Sequence, residues 1–434
     1  MRILLISSYE LGHQPFHVAS AAAALRSTGH EVRVCDLSLE PLREPDVAWS
    51  EGVALAVPMH TAMRIALGAA QSVRKMRPDI PLCFFGLYAG ASDLPIGAVA
   101  LAGEYEPDLI RWAAGLGAGA VVNLQKSAIR FAPDRSDLAP LTAYVGLELA
   151  GRRRTAGSTA ATRGCRYRCR HCPVPVVYDG KFRPIDRRIV LEDIDRQVAA
   201  GAGHISFSDP DFLNGPAHAL RVLEEARLRN PELTFDVTIK VEHLLRHRHL
   251  LGRMAELGVV FVVSAFETTN DEILHILDKG HTASDLAEAV HLLRACGIDV
   301  RPTWLPFTPW STLEDLVEML RFMDRHDLDV DPIQLTIRLL IPSGSLLLDL
   351  PESQWKPGPY DAEALSYSWI AADPVLDALQ SRLVRLVDGA TGLSRDEVLA
   401  TMTREILAAA GIDEESVRLS SGEGRPRLTE PWFC

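Results

Sequence analysis

The stretch Gly164-Cys165-Arg166-Tyr167-Arg168-Cys169-Arg170-His171-Cys172-Pro173 decides how this chain is read. Its three cysteines are spaced C-x3-C-x2-C on one tight loop. A short β-prone run, residues 159–163, precedes it. Apolar runs and amphipathic helices then alternate. The candidate strands are 204–208, 234–239, 259–265, 300–305 and 333–339, with helices such as 283–295 and 313–324 between them. Gly297 stands just past the first of these helices, as a C-terminal glycine should. Six strand–helix units in series predict a partial, open (β/α)6 barrel over residues 158–345. By analogy with the full barrel, reactive groups belong at the carboxyl ends of its strands.

Three thiolates on one loop can bind three irons of a cubane and leave the fourth iron without a protein ligand. An open iron is what a catalytic cluster needs, whereas four-cysteine clusters usually only carry electrons. The alternatives are a zinc knuckle or a reduced structural triplet, that is, a non-enzymatic iron–sulfur or zinc module for binding or electron transfer. Zinc wants a fourth ligand. His171 lies between two of the cysteines, where it is poorly placed to join them on one ion.

Outward from the loop, residues 1–125 form an earlier strand–helix alternation. Strands are expected at 2–8, 31–36, 53–58, 82–86 and 98–103, and helices at 19–27 and 61–76. Short apolar strands alternating with helices predict a parallel, doubly wound sheet of flavodoxin-like type. Ligands on such sheets sit at the carboxyl strand ends, which here carry Ser7, Ser8, Tyr9, His60, Tyr88 and Gly103. Residues 126–157, with Arg152-Arg153-Arg154 near their end, read as a linker. From residue 346 the chain becomes a small, mainly helical C-terminal region, with helices expected at 374–387 and 394–410. A flexible tail from Ser421 ends in Cys434.

The bulk properties agree with an enzyme of two or three domains. The chain has 434 residues and is 47% hydrophobic. A net charge of -12 argues against a general nucleic-acid or anionic-membrane binder. No apolar run approaches the ~20 residues needed to span a bilayer. Residues 1–7 read as a buried strand rather than a signal peptide. Seven cysteines in a chain this long suit metal ligation in a reducing, cytoplasmic compartment better than a disulfide framework.

The triplet, its place after a first barrel strand and the units that follow resemble the radical S-adenosylmethionine (SAM) superfamily over residues 158–345. The resemblance implies an oxygen-sensitive [4Fe-4S] cluster on Cys165, Cys169 and Cys172. It implies SAM chelated on the open iron, reductive cleavage of a SAM carbon–sulfur bond, and radical modification of a small molecule by a transferase or related enzyme. A reducing partner such as flavodoxin or ferredoxin is implied as well. His171 stands where the family often has an aromatic carbocycle, and its ring can pack over the adenine. Asp209 and Asp211 end the second barrel strand, where related enzymes receive the SAM amino group. The alternative for both is a turn or helix cap before proline. Lys240 follows the third strand and can meet the SAM carboxylate or the substrate, or be an ordinary strand-end lysine. Ser264 and Glu267 resemble positions that bind the ribose hydroxyls, and Lys279-Gly280 resembles a loop dipeptide of similar enzymes.

The whole layout resembles the cobalamin-binding-domain class of that superfamily. Gly103-Glu104-Tyr105-Glu106 resembles a strand-end Gly-Glu motif of the class, which makes Gly103 and Glu104 candidates for a cobalamin-type site. The base-off signature Asp-x-His-x-x-Gly is absent around His13 and His17. A bound cobalamin implies methyl transfer; an empty domain implies other chemistry. The end, Glu430-Pro431-Trp432-Phe433-Cys434, resembles the tail of a radical SAM subgroup with Cys-Cys or Cys-selenocysteine termini, and the layout is similar to the radical SAM enzyme of arsinothricin biosynthesis. That likeness gives Cys434 a catalytic role as a soft ligand, raises the expectation that the gene continues past it, and admits transfer of the 3-amino-3-carboxypropyl group of SAM to trivalent arsenic.

Overall fold

Ile3, Leu4, Leu5 and Ile6 are fully buried, because their strand lies mid-sheet with helices on both faces. In the computed structural model this strand is β1 (Arg2–Ser7). The structure describes residues 1–90, 94–115, 121–124, 129–352, 355–413, 416–419, 422 and 424–430. Strands β2 (Glu31–Asp36), β3 (Gly52–Ala56), β4 (Leu82–Phe85), β5 (Val99–Gly103) and β6 (Val121–Asn123) complete a parallel sheet of order β2-β1-β3-β4-β5-β6. Ile3 and Leu5 pack against the helix Phe16–Ser27, and Leu4 and Ile6 against the helix His60–Met76. The sixth strand and the helix Glu106–Ala113 escape the sequence reading, since β6 is only three residues long and Pro107 disguises the helix start. The strand order reverses between β1 and β3, which makes their carboxyl ends the topological switch point.

The second sheet begins with β7 (Gly146–Leu149) and β8 (Arg152–Thr159), paired antiparallel. Next come β9 (Thr162–Gly164) and β10 (Phe182–Pro184), a small antiparallel pair. Strands β11 (His204–Phe207), β12 (Thr234–Thr238), β13 (Val259–Glu267) and β14 (Asp299–Trp304) run parallel to β8 in the order β14-β13-β12-β11-β8. The result is an α/β chain with a curled half-barrel after the flavodoxin-like sheet.

Three expectations shift. The first barrel strand is Arg152–Thr159, which begins within the stretch read as linker, and not residues 159–163. It hides because its inward residues are small; a Cβ at Gly157 would stand 2.9 Å from Ile205 Cδ1 and collide with the Gln197 side chain. Residues 333–339 are no full strand: Pro332–Thr336 is a 3-10 turn, and one bridge, Phe307 to Arg338, continues the sheet. Part of the tail is not loose. Arg427–Leu428 pairs with β7 as a seventh strand, and Leu428 packs with Leu147, Phe261 and Val263. Cys434 lies outside the described residues.

The C-terminal helices Pro374–Asp388 and Arg395–Ala409 are capped by Asp373 and by a Ser394/Glu397 capping box. Among the described residues no helix is long and apolar enough to cross a membrane.

Candidate cluster and SAM site

Gly164 ends β9 with φ +73°, a conformation that side-chain-bearing residues avoid. A Cβ there would stand 2.5 Å from the Tyr178 ring and meet the Lys181 carbonyl. Gly164→Ala should therefore destabilise the protein by about 1–3 kcal/mol and lower iron incorporation, read by denaturant titration and iron analysis. The cysteine loop that follows is fastened at several points. Asn214 Oδ1 accepts from Arg166 N at 3.1 Å and lies 3.7 Å from Cys165 Sγ. Arg170 N donates to the Leu277 carbonyl at 2.9 Å, and Ser345 Oγ donates to the Arg170 carbonyl at 3.1 Å. Cys172 N closes the turn onto the Cys169 carbonyl at 3.1 Å.

Burial pushes the Cys165 thiol up to about 11 and the Cys172 thiol up to about 12, the latter with the neighbouring Cys169 adding to the shift. Binding a soft metal centre would then displace protons from the loop. Among the described residues no three His, Cys, Asp or Glu side chains converge on a point that could hold a single metal ion. In a cubane each of the three thiolates would bind a different iron. The donor set of Cys165, Cys169 and Cys172 fits that group.

His171 points its Nε2 at Glu267 Oε1, 3.1 Å away, and Lys279 Nζ reaches the same oxygen at 2.9 Å. Glu267 ends β13 past a bulge, with φ +64°. Strain of this kind persists only where surroundings over-determine it. Despite burial, Lys279 first and His171 second hold the Glu267 carboxyl well below the usual carboxylate range, and Glu267 raises Lys279 in return. The pair's contribution to stability is thus present above the ordinary carboxylate range and lost as the pH falls through the depressed value. Lys279 also feels Cys169 and Cys172, so its cation stands close to the cysteine loop. Glu267→Gln should lower SAM cleavage roughly 10–100-fold, the usual loss when an orienting partner near a metal is removed. Product assay with parallel iron analysis checks it, and cluster content should be unchanged.

The other candidates separate into two groups. Lys240 is buried at the mouth, with Nζ 3.1 Å from Glu242 Oε2 and 3.7 Å from the centre of the Tyr167 ring, itself part of the cysteine loop. Asp211 lies beneath it, accepting from Leu213 N at 2.9 Å, His243 Nδ1 at 2.9 Å and Lys240 N at 3.3 Å. Asp209 accepts from Ala161 N at 2.8 Å and Thr162 Oγ1 at 2.6 Å, tying β11 to the turn before the cysteines. Burial pushes its carboxyl up to about 7. Ser264 Oγ donates to the Ile239 carbonyl at 2.7 Å. Thus His171, Glu267, Lys240 and the cysteines gather around one loop, whereas Asp209, Asp211 and Ser264 hold the backbone that shapes it.

Gly103 and Glu104 meet the barrel directly. Arg163, two residues before Cys165, inserts between them and the helix Glu106–Ala113. Its guanidinium donates to both Glu106 oxygens at 2.7 and 2.9 Å and to Tyr105 Oη at 3.0 Å, and stands 3.9 Å from Glu104. Tyr178 Oη donates to Glu104 at 3.2 Å. The adjoining cavity is lined by Gly86, Gly103 and Tyr178, while Glu104 is engaged by Tyr178 and Arg163. Sequence reasoning missed Arg163 because nothing local distinguishes it from the other arginines of the loop; the dipeptide Lys279-Gly280 was noted there, but not the partner of its lysine.

The three-cysteine loop stands at the carboxyl ends of the half-barrel strands. Residues 160–323 match the family model "Radical SAM superfamily". The chain is similar to the ribosomal protein uS12 methylthiotransferase RimO of Desulfotalea psychrophila, 28% identical over 39% of this chain and 40% of that protein. It is also similar to the hopanoid C-2 methylase of Rhodopseudomonas palustris, 23% identical over 48% of this chain and 40% of that protein. The chain therefore spans about 40% of the length of these curated relatives. In fold it is similar to the cobalamin-dependent SAM radical enzyme OxsB with aqua-cobalamin bound, with a TM-score of 0.68 at 15% identity, covering 94% of this chain and 70% of that one. The radical SAM methyltransferase TsrM from Kitasatospora setae, with tryptophan and a SAM analogue, gives a TM-score of 0.60 at 19% identity, covering 82% and 78%.

Proposed function

We propose that this chain is a radical SAM enzyme acting on a small molecule, with its [4Fe-4S] cluster on Cys165, Cys169 and Cys172. The observation that carries the reading is the cysteine loop joined through His171 to Glu267 and Lys279 at the end of β13. When bound, the cluster and SAM supply the electron and the carbon–sulfur bond that breaks. The protein's own part is to bind and orient. Lys240 and Lys279 place cations where the SAM carboxylate would approach, each tied to one carboxylate neighbour. Glu267, held ionised, presents its second oxygen as an acceptor for hydroxyls. Burial of the lysines keeps water from weakening these contacts.

Anaerobic reconstitution with iron and sulfide, followed by SAM and dithionite, tests the reading. Cubane absorbance and SAM cleavage are expected. A colourless, zinc-loaded protein that leaves SAM intact overturns it. In a cell the electron is proposed to come from a flavodoxin or ferredoxin.

Transfer of the 3-amino-3-carboxypropyl group to a soft acceptor such as trivalent arsenic is the second reading. What supports it is where the described tail ends: Glu430 Oε1 accepts from Tyr9 Oη at 3.2 Å, beside the first strand-end loop. With arsenite present, methylthioadenosine is the expected product on that reading, and release of 5'-deoxyadenosine alone refutes it. Cobalamin-dependent methyl transfer has the fold similarity behind it.

A further inference from the structure

Both sheets contribute to a second, larger cavity of about 270 Å³. His13 and His17 enter it from the loop after β1 and Pro58 from the end of β3, so it opens at the switch point of the first sheet. Ser206, Asp209 and Asp236 enter it from the half-barrel. Phe16 and Phe207 supply apolar wall.

Its polar lining is one-sided. Glu10, Asp209 and Asp236 are carboxylates, and among the described residues no lysine or arginine lines the space. The neighbouring Arg135 is tied to Asp193 at 3.0 Å. Two of the carboxylates are already engaged. Glu10 accepts from Phe16 N at 2.9 Å and His17 N at 3.1 Å and faces His17 Nδ1 at 3.2 Å. Asp209 holds Ala161 and Thr162. Asp236 differs. Its Oδ1 accepts from Ser206 and faces His204 Nε2 at 2.8 Å, whereas its Oδ2 makes no hydrogen bond with a described residue. His13 N donates to the Glu10 carbonyl at 2.9 Å, but its ring Nδ1 is buried without a hydrogen-bond partner among the described residues. Burial pushes that imidazole down to about 4, so it is neutral near pH 7.

Asp236 lines the cavity with its Oδ2 not engaged by a donor among the described residues, and a charged N–H donor satisfies a carboxylate oxygen best. An anionic ligand would meet carboxylates with no free cation to offset them. Resting on the radical SAM reading, we propose that this cavity is the substrate pocket and that it takes a small aliphatic amine, its ammonium on Asp236 Oδ2 beside His13.

Ligand-observed NMR on the full chain, with n-butylammonium, n-butanol and n-butyrate as matched probes, tests the proposal. Butylammonium should bind in preference to the other two. Asp236→Asn should weaken it at least tenfold. Because Asp236 also holds His204 and Ser206, a second variant guards against misfolding: His13→Lys, on a loop, should expel butylammonium and admit butyrate. Butyrate binding as well as butylammonium, no detectable butylammonium binding at millimolar concentration, or both variants behaving as wild type overturns it. The readout needs no cluster, so failure of SAM cleavage and failure of amine binding are told apart.

Discussion

On the proposed radical SAM reading, Cys169→Ser should leave a folded chain without SAM cleavage. The expected fall is at least about 1,000-fold, equivalent to roughly 4 kcal/mol or more of barrier. The reason is chemical before it is steric. Cys169 is the buried member of the triplet, and its carbonyl already receives Cys172 N, so the loop's shape rests on backbone that serine retains. What serine loses is the soft thiolate that an iron of the cluster requires. Far-UV circular dichroism should therefore match wild type, while cubane absorbance after anaerobic reconstitution is lost with activity. Cys165→Ser and Cys172→Ser should behave alike. A serine variant that retains both absorbance and SAM cleavage refutes the assignment.

Arg163→Met carries the second large effect, this time on stability. Arg163 is buried, makes a two-pronged contact with Glu106, and lies over the Tyr105 ring at 4.6 Å. Removing one partner of such a pair leaves a buried carboxylate uncompensated, which costs about 3–5 kcal/mol. Arg163 first, and Ser20 with it, holds the Glu106 carboxyl below its ordinary range despite burial. In wild type this contribution is present above the ordinary carboxylate range and lost as the pH falls through the depressed value. The variant should lack that pH dependence. The double variant Arg163→Met with Glu106→Gln should recover part of the loss, because the stranded charge is gone. Urea titrations of the four proteins in the cycle measure the coupling; a coupling near zero refutes the pair's role. Since Arg163 joins the first domain to the start of the cysteine loop, the single variant should also take up less iron.

The cysteine triplet was legible because its chemistry is local: three ligands within eight residues need no tertiary information. The flavodoxin-like sheet was legible for a related reason, since strands such as β1 and β4 are buried on both faces and read as unbroken apolar runs. Strand β8 was not, because Thr155-Ala156-Gly157-Ser158-Thr159 keeps small residues against Gln197 and so carries no apolar signal. The site was legible in kind but not in detail. Glu267 and His171 were expected near SAM, yet their shared bond with each other and with Lys279 depends on the bulge at the end of β13, which no spacing encodes. Asp209 stood open between a ligand and a cap; in the fold its oxygens hold Ala161 and Thr162, and any contact with SAM stays a proposal.

The pairing of Arg427–Leu428 with β7 joins residues far apart in sequence, and Glu430 touches Tyr9 across 421 positions. Contacts so remote form late, because the intervening chain must be ordered before they are rewarded. During synthesis the first sheet can fold as soon as it leaves the ribosome, but β7 must wait as an exposed edge until Arg427–Leu428 has emerged. An unpaired edge of that kind is the place where nascent copies would stick to one another. A truncation before Arg427 should for that reason show itself first as aggregation during expression, ahead of any loss at the cysteine loop.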